Sequence, residues 1–325
     1  MYFYNWNMSE EALKISGYTT AILNWYTVNR RDLPWRKTTE PYKVWLSEIM
    51  LQQTRVSQGL PYYMNFIKKF PTIRSLAKAS EEEVLHQWQG LGYYTRARNL
   101  HKCAKKIVSD YGGIFPESFS ELKKLPGIGS YTAAAIASIC FKEPVPVLDG
   151  NVFRVLSRLF NIEHDINTAA GKKSFMDLAQ ALITDDNPGD FNQAIMEFGA
   201  LQCIPKKPGC ETCSLMLSCE SYAAKNQMYR PVKSAKKKKR NRFFNYLVLG
   251  NNKCIYMNQR IKNDIWKGLY DFQLIESDVK VTDRMVFLND LGTNKEVEWH
   301  IHHIKEYKHV LTHQVIHATF YFIDL

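Results

Sequence analysis

The chain has 325 residues, of which 45% are apolar, so it can form two folded domains and is not a disordered protein. Its 43 Lys and Arg against 32 Asp and Glu give a formal charge of +11, which favours a polyanionic partner such as nucleic acid. No apolar run reaches the roughly 18 residues of a membrane span, and the N-terminus lacks a secretory signal. We therefore expect a cytoplasmic protein with no membrane partner.

The chain from Ser9 to about Phe198 has a mainly helical pattern. Apolar residues at helical spacing predict a first helix in a segment that Pro34 closes, and Pro41 begins the next helix. Further helices are predicted at about 60–69, 80–88, 95–110, 118–124, 130–140, 151–160, 171–184 and 190–201.

The polar, basic segment PVKSAKKKKRNR then predicts an interdomain linker, which we place at 227–242. A small α+β domain is expected at 243–325 because the apolar pattern changes there. Phe244–Leu249 and Cys254–Met257 flank a Gly-Asn-Asn turn and predict a hairpin. Residues 282–291 predict a helix, and 297–301 and 315–323 alternate as strands.

Two carboxylates stand out in this pattern. Glu48 lies in the apolar helical run VWLSEIMLQQT with no Lys or Arg one turn away, a setting that raises the pKa of a carboxyl group. Asp149, in VLDGN (147–151), precedes a predicted helix whose N–H groups stabilise the ionised form. Taken alone, Glu48 is more often paired elsewhere in a fold, and Asp149 is more often an ordinary N-cap.

Four cysteines fall close together with the spacing C-x6-C-x2-C-x5-C, at Cys203, Cys210, Cys213 and Cys219. Four thiolates at this spacing can surround one metal centre, and their chemistry suits zinc and a 4Fe–4S cluster about equally. The segment LPGIGSYTAAAIASI (125–139) joins two helices through Gly127 and Gly129. It predicts either a phosphate-binding helix N-terminus or an ordinary tight turn.

Together these motifs resemble the endonuclease III superfamily of DNA glycosylases. LPWR (33–36), PYKVWLSEIMLQQTRV (41–56), WQGLGYYTRARNL (88–100) and LPGIGSYTA (125–133) are similar to its adenine DNA glycosylase (MutY-type) branch, over residues 20–220. The resemblance implies a mainly α, helix–hairpin–helix glycosylase. Its six-helix barrel would lie at about 35–142 and its iron–sulfur cluster subdomain at 1–34 and 143–226, within a catalytic region of 1–226. A C-terminal α+β, MutT-like (Nudix-like) domain would occupy 243–325.

The resemblance also implies roles for the site residues. Bifunctional members carry, two residues after the second hairpin glycine, a lysine that forms a Schiff base with the sugar. Tyr131 stands there and cannot do so, which predicts a monofunctional glycosylase that uses water. By resemblance, Glu48 protonates adenine and then activates water, and Asp149 stabilises the oxocarbenium ion. Asn151 orients this chemistry, and Tyr131 positions the carboxylates.

Because the target base must leave the duplex, residues of the family fill the gap. By resemblance, Gln53 and Tyr93 do so, although Tyr93 could equally be a core aromatic residue and Arg36 a surface charge. The expected DNA and base contacts are Arg36, Leu51, Gln52, Gln53, Thr54, Tyr93, Gly127 and Gly129. The four cysteines would hold one 4Fe–4S cluster.

The C-terminal segment WKGLYDF (266–272) looks like a Nudix motif, but the glutamate run that holds magnesium is missing between 260 and 295. The resemblance therefore implies binding of 8-oxoguanine without hydrolysis. The family's recognition loop often reads Phe-Ser-His, and here it reads Leu311-Thr312-His313. Thr312 and His313 retain hydrogen-bonding groups, whereas Leu311 lacks the aromatic ring.

The resemblance thus implies a bacterial, cytoplasmic, nucleoid-associated monomer of base excision repair. Its substrate would be double-stranded DNA with adenine opposite 8-oxoguanine or guanine. Two alternatives stay open. A bifunctional glycosylase/lyase acting on oxidised pyrimidines is disfavoured by Tyr131. A non-catalytic DNA-binding protein could use the hairpin and the cysteine cluster as a scaffold.

Overall fold

The computed structural model describes residues 8–234, 239–251, 253–281, 301–311 and 313–324. The chain forms two compact units, Met1–Ser234 and Ala235–Leu325. The division falls inside the segment expected to be the linker, but residues 227–234 pack within the first unit. There Arg230 is buried, and the Val232 carbonyl accepts a hydrogen bond from the Ile166 backbone N–H. The first strand of the second unit begins at Arg240, so the connecting segment is shorter than 227–242.

The first unit is helical. Its helices are α1 Met8–Asn29, α2 Pro41–Leu51, α3 Val56–Lys69, α4 Ile73–Lys78, α5 Glu81–Gln87, α6 Thr95–Asp110, α7 Phe119–Leu122, α8 Ser130–Phe141, α9 Gly150–Leu159, α10 Ala169–Leu182, α11 Pro188–Leu201 and α12 Glu220–Ala223. Every helix predicted between residues 60 and 201 is present, while α4 and α12 are additional. Local signals set several starts: Ser80 and Glu83 form a capping box on α5, and Pro41 occupies the first turn of α2.

Two hydrophobic cores organise this unit. The first joins α2 to α8 around fully buried aromatic side chains such as Trp45, Phe66 and Trp88. The second brings α1 back against α9, α10 and α11, with Ile22, Phe175 and Phe191 inside. Each fully buried large apolar side chain contributes roughly 1.5–3 kcal/mol. Because α8 supplies residues to both cores, it fixes the position of one core against the other.

The second unit contains a mixed sheet with the strand order β4–β1–β6–β5. Its strands are β1 Arg240–Gly250, β4 Gln273–Ser277, β5 Ile301–Val310 and β6 Gln314–Asp324, and the short strands β2 Asn258–Gln259 and β3 Tyr270–Asp271 pair with each other. β1 runs parallel to β6 and antiparallel to β4, whereas β5 and β6 form an antiparallel pair.

This topology corrects one prediction and confirms another. The hairpin predicted from Phe244–Leu249 and Cys254–Met257 forms only at its turn, where the Tyr256 backbone N–H donates to the Leu249 carbonyl at 2.8 Å, because β4 and β6 pair with the rest of β1. The second segment touches β1 through an isolated bridge between Gly250 and Ile255. The strand predicted at 315–323 is present as β6. The helix predicted at 282–291 and residues 297–300 of the other predicted strand lie outside the described residues. In the part of the chain that is described, no helix is long and apolar enough to cross a membrane.

Candidate active site

One cleft in the first unit contains all four residues predicted to carry catalysis. Glu48 reaches it from α2 and Tyr131 from α8, while Asp149 and Asn151 enter at the start of α9. The cleft encloses about 1110 Å³ of empty space, including its open mouth. Its other walls are Arg31, Leu33, Trp35, Arg36, Val44, Ser47, Leu51, Thr54, Arg55, Val56, Ile139, Gln193, Met196, Glu197 and Ala200.

Glu48 is a carboxyl group that keeps its proton unusually well. Burial raises its pKa from 4.5 to about 7, and the nearby charge of Asp149 adds to the rise. A hydrogen bond from Tyr131 and the positive charge of Arg36 act in the opposite direction. Part of the Glu48 surface faces the cleft, although protein surrounds most of the side chain. Near neutral pH, a substantial fraction of Glu48 is therefore protonated and can donate.

Asp149 is both the N-cap of α9 and a carboxylate of the cleft. Its Oδ1 accepts hydrogen bonds of 2.8 Å from the backbone N–H groups of Asn151 and Val152. Its Oδ2 accepts one of 2.7 Å from the Asn151 side-chain amide. Burial raises the pKa of Asp149, while these hydrogen bonds oppose the rise. The two alternatives for Asp149, cap and site residue, are therefore compatible in this structure.

Tyr131 bridges the two sides of the cleft. Its hydroxyl lies beside Glu48, to which it hydrogen-bonds, and 3.2 Å from Sδ of Met196 on α11. Burial, together with the charges of Glu48 and Asp149, raises the pKa of Tyr131 well above its usual value. The phenol therefore stays neutral and remains a hydrogen-bond donor at the floor of the cleft.

A buried ion-pair cluster forms the opposite wall. Both oxygens of Glu197 on α11 accept hydrogen bonds from Arg36, at 2.6 and 2.7 Å, and from Arg31, at 2.8 and 2.6 Å. Burial alone would raise the pKa of Glu197, but these arginines lower it to about 2. The Arg36 side chain is only 12% exposed, so the surface alternative for Arg36 is wrong.

Three polar residues of this wall were not predicted from the sequence: Arg31, Gln193 and Glu197. Gln193 and Glu197 lie four positions apart and therefore on one face of α11, toward the cleft. The polar pair in the otherwise apolar pattern QAIMEFG was the available signal. Arg31, by contrast, lies in a loop and gave no periodic signal.

The residues expected to contact DNA have different surroundings. Leu51 and Thr54 line the cleft. The Gln52 amide points inward, 3.3 Å from the Thr132 hydroxyl, whereas Gln53 is exposed. Tyr93 is 48% exposed and lies outside the hydrophobic cores, so the core-packing alternative is wrong.

The two hairpin glycines differ in what they require. Gly127 has a φ of 75°, and a Cβ atom there would lie 2.7 Å from Cβ of Asn99, so only glycine fits without strain. Gly129 is the N-cap of α8 with a φ of −87°, and nothing lies within 4 Å of where its Cβ would be. The start of α8 is therefore exposed and open, and the free N–H groups at a helix N-terminus can bind an anion.

The four clustered cysteines line one cavity with about 450 Å³ of empty space between α9, α11 and the 203–219 loop. Among the described residues, no set of three His, Cys, Asp or Glu side chains forms a site for a single metal ion. Arg158 donates hydrogen bonds of 2.8 and 3.1 Å to the Ile204 and Pro205 carbonyls, and its Nη1 lies 3.5 Å from Sγ of Cys203. Arg158 therefore stabilises the start of this loop.

Arg154 connects the cysteine loop to the cleft. Its Nε donates to the Cys203 carbonyl at 2.7 Å, and its Nη2 donates to the Asn151 side-chain oxygen at 2.9 Å. Asn151 in turn donates to Asp149. The chain of hydrogen bonds runs from the first cysteine to the cleft carboxylate.

In the second unit, Leu311 and His313, from the stretch expected to recognise 8-oxoguanine, lie between β5 and β6. The Leu311 backbone N–H donates to the Gln314 carbonyl at 2.8 Å, and its side chain packs against the core around Phe244. His313 is exposed. Thr312 lies outside the described residues.

Comparisons with known proteins agree with this geometry. Residues 46–181 match the profile of the HhH-GPD superfamily base excision DNA repair proteins. An adenine DNA glycosylase of Buchnera aphidicola (from Schizaphis graminum) is 37% identical over 301 residues, covering 92% of this chain and 85% of the relative. The human adenine DNA glycosylase is 42% identical over 226 residues, 67% of this chain and 41% of the human protein.

Among solved structures, a thermostable thymine-DNA glycosylase superposes with a TM-score of 0.61 at 30% identity and covers 67% of this chain and 100% of its own. The hairpin fold, the cleft with two carboxylates and the matched profile define a DNA glycosylase of the helix–hairpin–helix class. Within that class, the chain belongs to the adenine DNA glycosylase family, because the similarity extends over most of both chains.

Proposed function

We propose that the enzyme hydrolyses the N-glycosidic bond of adenine paired with 8-oxoguanine or guanine in double-stranded DNA, leaving the strand intact. One observation carries the mechanism: Glu48 and Asp149 line the same cleft in unequal environments. Two carboxyl groups that differ in this way can divide acid catalysis from charge stabilisation. The names of the relatives support adenine as the base.

The reaction follows from these environments. Protonated Glu48 donates its proton to a ring nitrogen of the flipped adenine, so the base leaves as a neutral molecule. The bond electrons go with the base, and the Asp149 carboxylate stabilises the positive charge that develops on the sugar. Glu48, now ionised, accepts a proton from the water that attacks the sugar. Asn151 fixes Asp149 through its 2.7 Å hydrogen bond, and Tyr131 holds Glu48.

We assign recognition of the base to the wall opposite the carboxylates. The Gln193 side-chain oxygen accepts a 3.3 Å hydrogen bond from the Tyr26 hydroxyl, which leaves its amide N–H groups to face the cleft. Glu197 is 1% exposed and its two oxygens already accept hydrogen bonds from Arg31 and Arg36, so it fixes this wall rather than contacting the base. An amide donor at Gln193 would match a ring nitrogen of adenine, which is a hydrogen-bond acceptor.

The lyase alternative needs an amine in the cleft that could form a Schiff base. Tyr131 occupies the position where that lysine is expected, and its hydroxyl is used to hold Glu48. Apart from Arg31, Arg36 and Arg55, the cleft walls carry no basic side chain among the described residues. Guanidinium groups stay protonated and are not nucleophiles.

We propose that Cys203, Cys210, Cys213 and Cys219 hold one 4Fe–4S cluster. The observation that supports one shared cluster is that the four thiols line the same cavity, and four cysteine thiolates are the ligand set of a 4Fe–4S cluster. When bound, the cluster would cross-link the 203–219 loop and hold the exposed Lys206 and Lys207 toward DNA. Purified protein should absorb visible light, and elemental analysis showing zinc without iron would refute the assignment.

We also propose that the second unit reads the base opposite adenine through residues that lie between β5 and β6. His313 is exposed there and can hydrogen-bond to 8-oxoguanine. Leu311 lacks an aromatic ring, and its partly buried side chain packs against the core around Phe244. The specificity would therefore depend on hydrogen bonds more than on stacking.

The experiment is single-turnover base release from duplexes that carry adenine opposite 8-oxoguanine, G, C or T. We expect adenine to be released fastest opposite 8-oxoguanine, more slowly opposite G, and hardly at all opposite C or T. His313→Ala should reduce the preference for 8-oxoguanine over G without changing the rate opposite G. Equal rates opposite all four bases would contradict the proposed specificity.

A further inference from the structure

Arg96, near the start of α6, contacts the end of a helix and a loop at once. Its Nη1 donates to the carbonyl oxygens of Ile49 at 3.0 Å, Met50 at 2.8 Å and Gln52 at 2.6 Å. Its Nη2 donates to the carbonyl oxygen of Gly92 at 3.2 Å. The first three acceptors belong to the C-terminal end of α2, whose last carbonyls have no partner within the helix. The fourth belongs to the loop before α6.

The environment of this guanidinium is unusual for an arginine. It lies 5.3 Å from the Trp88 ring centre and 5.4 Å from that of Tyr93, and no carboxylate pairs with it among the described residues. Burial lowers the pKa of Arg96 to about 10, so the side chain still carries its charge at neutral pH. Backbone carbonyls and aromatic faces stabilise that charge. The position of the Arg96 side chain therefore depends on the conformation of the backbone around it.

The backbone that Arg96 holds is strained at two positions. Gln53 has a φ of 55° and Tyr93 a φ of 51°, both in the left-handed region that residues other than glycine rarely adopt. The carbonyls of Gln52 and Gly92 belong to the peptide groups that immediately precede these residues. One planar guanidinium therefore contacts both peptide groups, and Nε1 of Trp88 also donates to the Gly92 carbonyl, at 3.0 Å. Strained residues persist only where such contacts hold them.

We propose that Arg96 is a positioning residue that holds Gln53 and Tyr93 as one rigid pair, so that both side chains enter the DNA stack together when the target base is extruded. This inference rests on the proposed function, in which these two residues fill the gap. Arg96 itself does not line the cleft. It acts through the peptide groups of Gln52 and Gly92.

The competing explanation is that Arg96 only caps α2. That helix carries Glu48, so loss of the cap would impair the chemical step on every substrate. Loss of the rigid pair would instead impair base extrusion and spare a base that is already unstacked. Two substrates that differ only in the free energy needed to extrude the target base therefore distinguish the helix-cap explanation from the rigid-pair explanation.

The test measures single-turnover adenine release from two duplexes, both with adenine opposite 8-oxoguanine. One is fully paired on both sides of the target, and the other has mismatched pairs there that weaken the stack. The variants are Arg96→Met, which removes the charge, and Arg96→Lys, which keeps the charge without the planar fork. The control is Arg98→Met, on the same helix, whose side chain pairs with Glu81 at 3.4 Å.

Arg96→Met should lower the rate on the paired duplex about 100-fold, the scale expected when groups are misplaced by about 1 Å. On the mismatched duplex it should stay near the wild-type rate, and Arg96→Lys should be intermediate. Arg98→Met should match wild type on both. Because the two rates are compared within one variant, an unfolded fraction cancels.

Equal losses on both duplexes would overturn the inference and leave Arg96 as a helix cap. No loss on either duplex would overturn it as well. If the wild-type protein released no adenine from either duplex, the proposed function would fail and the role of Arg96 in extrusion with it.

Discussion

Replacing Glu48 with Gln should abolish base release and, at neutral pH, stabilise the protein. Glutamine has nearly the same shape and keeps hydrogen-bonding groups for Tyr131, but it cannot donate or accept the catalytic proton. Glutamine also never ionises, so the variant does not lose the free energy that it costs to bury a charged carboxylate in the cleft. A substitution that lowers activity and raises stability indicates that the native residue destabilises the fold in order to carry out catalysis.

The size of the effect follows from the pKa of Glu48. A pKa of about 7 instead of the ordinary 4.5 corresponds to a difference of up to about 3 kcal/mol in the free energy of unfolding, at ~1.36 kcal/mol per pH unit. Water in the cleft screens the charge and reduces this difference. The folded protein binds this proton more tightly than the unfolded chain does. The stabilisation from the protonated group is therefore complete below pH 4.5 and is lost as pH rises through 7.

The assay is urea unfolding of wild type and Glu48→Gln at a series of pH values between about 4 and 8. The free energies of unfolding should converge near pH 4 and separate by up to about 3 kcal/mol near pH 8, with the variant more stable. The wild-type rate of base release should also fall as pH rises through about 7. A variant that still released adenine, or that was less stable at pH 8, would refute this reasoning.

Three other predictions concern the surrounding structure. Gly127→Ala should lower the free energy of unfolding by about 1–2 kcal/mol because of its positive φ and the Asn99 contact, whereas Gly129→Ala should leave unfolding unchanged and weaken duplex binding. Urea unfolding measures the stability of the two glycine variants, and fluorescence anisotropy measures their binding to duplex DNA. Equal stability of the two variants would contradict the prediction for Gly127. Glu197→Gln should cost about 3 kcal/mol, since two arginines lose a buried carboxylate, and calorimetry showing no loss would contradict this. Cys213→Ser should lose visible absorbance and melt at a lower temperature than wild type, and an unchanged spectrum would remove this cysteine from the proposed ligands.

The helices could be predicted because their signals are local. Apolar spacing and caps such as Ser80 act within one or two turns, so the pattern places α5 or α9 without knowledge of the fold. Strand pairing in the second unit could not be predicted in the same way. The turn residues after Gly250 indicated a hairpin, but the parallel partner of β1 is β6, at the end of the chain.

The same difference between local and long-range signals applies to the residues of the site. Glu48 and Asp149 were predicted because each lies in a recognisable motif, and their convergence on one cleft is a property of the fold alone. Glu197 was missed because the arginines that fix its charge lie 161 and 166 residues earlier in the chain. The contacts of Arg96 likewise join α2 to the loop before α6, which no spacing pattern reveals.

The most direct measurement of the central claim is product analysis after one turnover on a duplex with adenine opposite 8-oxoguanine. Mass spectrometry should detect free adenine in an amount equal to the abasic sites formed. The DNA strand should remain whole until alkali is added, because Tyr131 cannot form a Schiff base. Absence of free adenine, or strand cleavage without alkali at the rate of base release, would contradict the account.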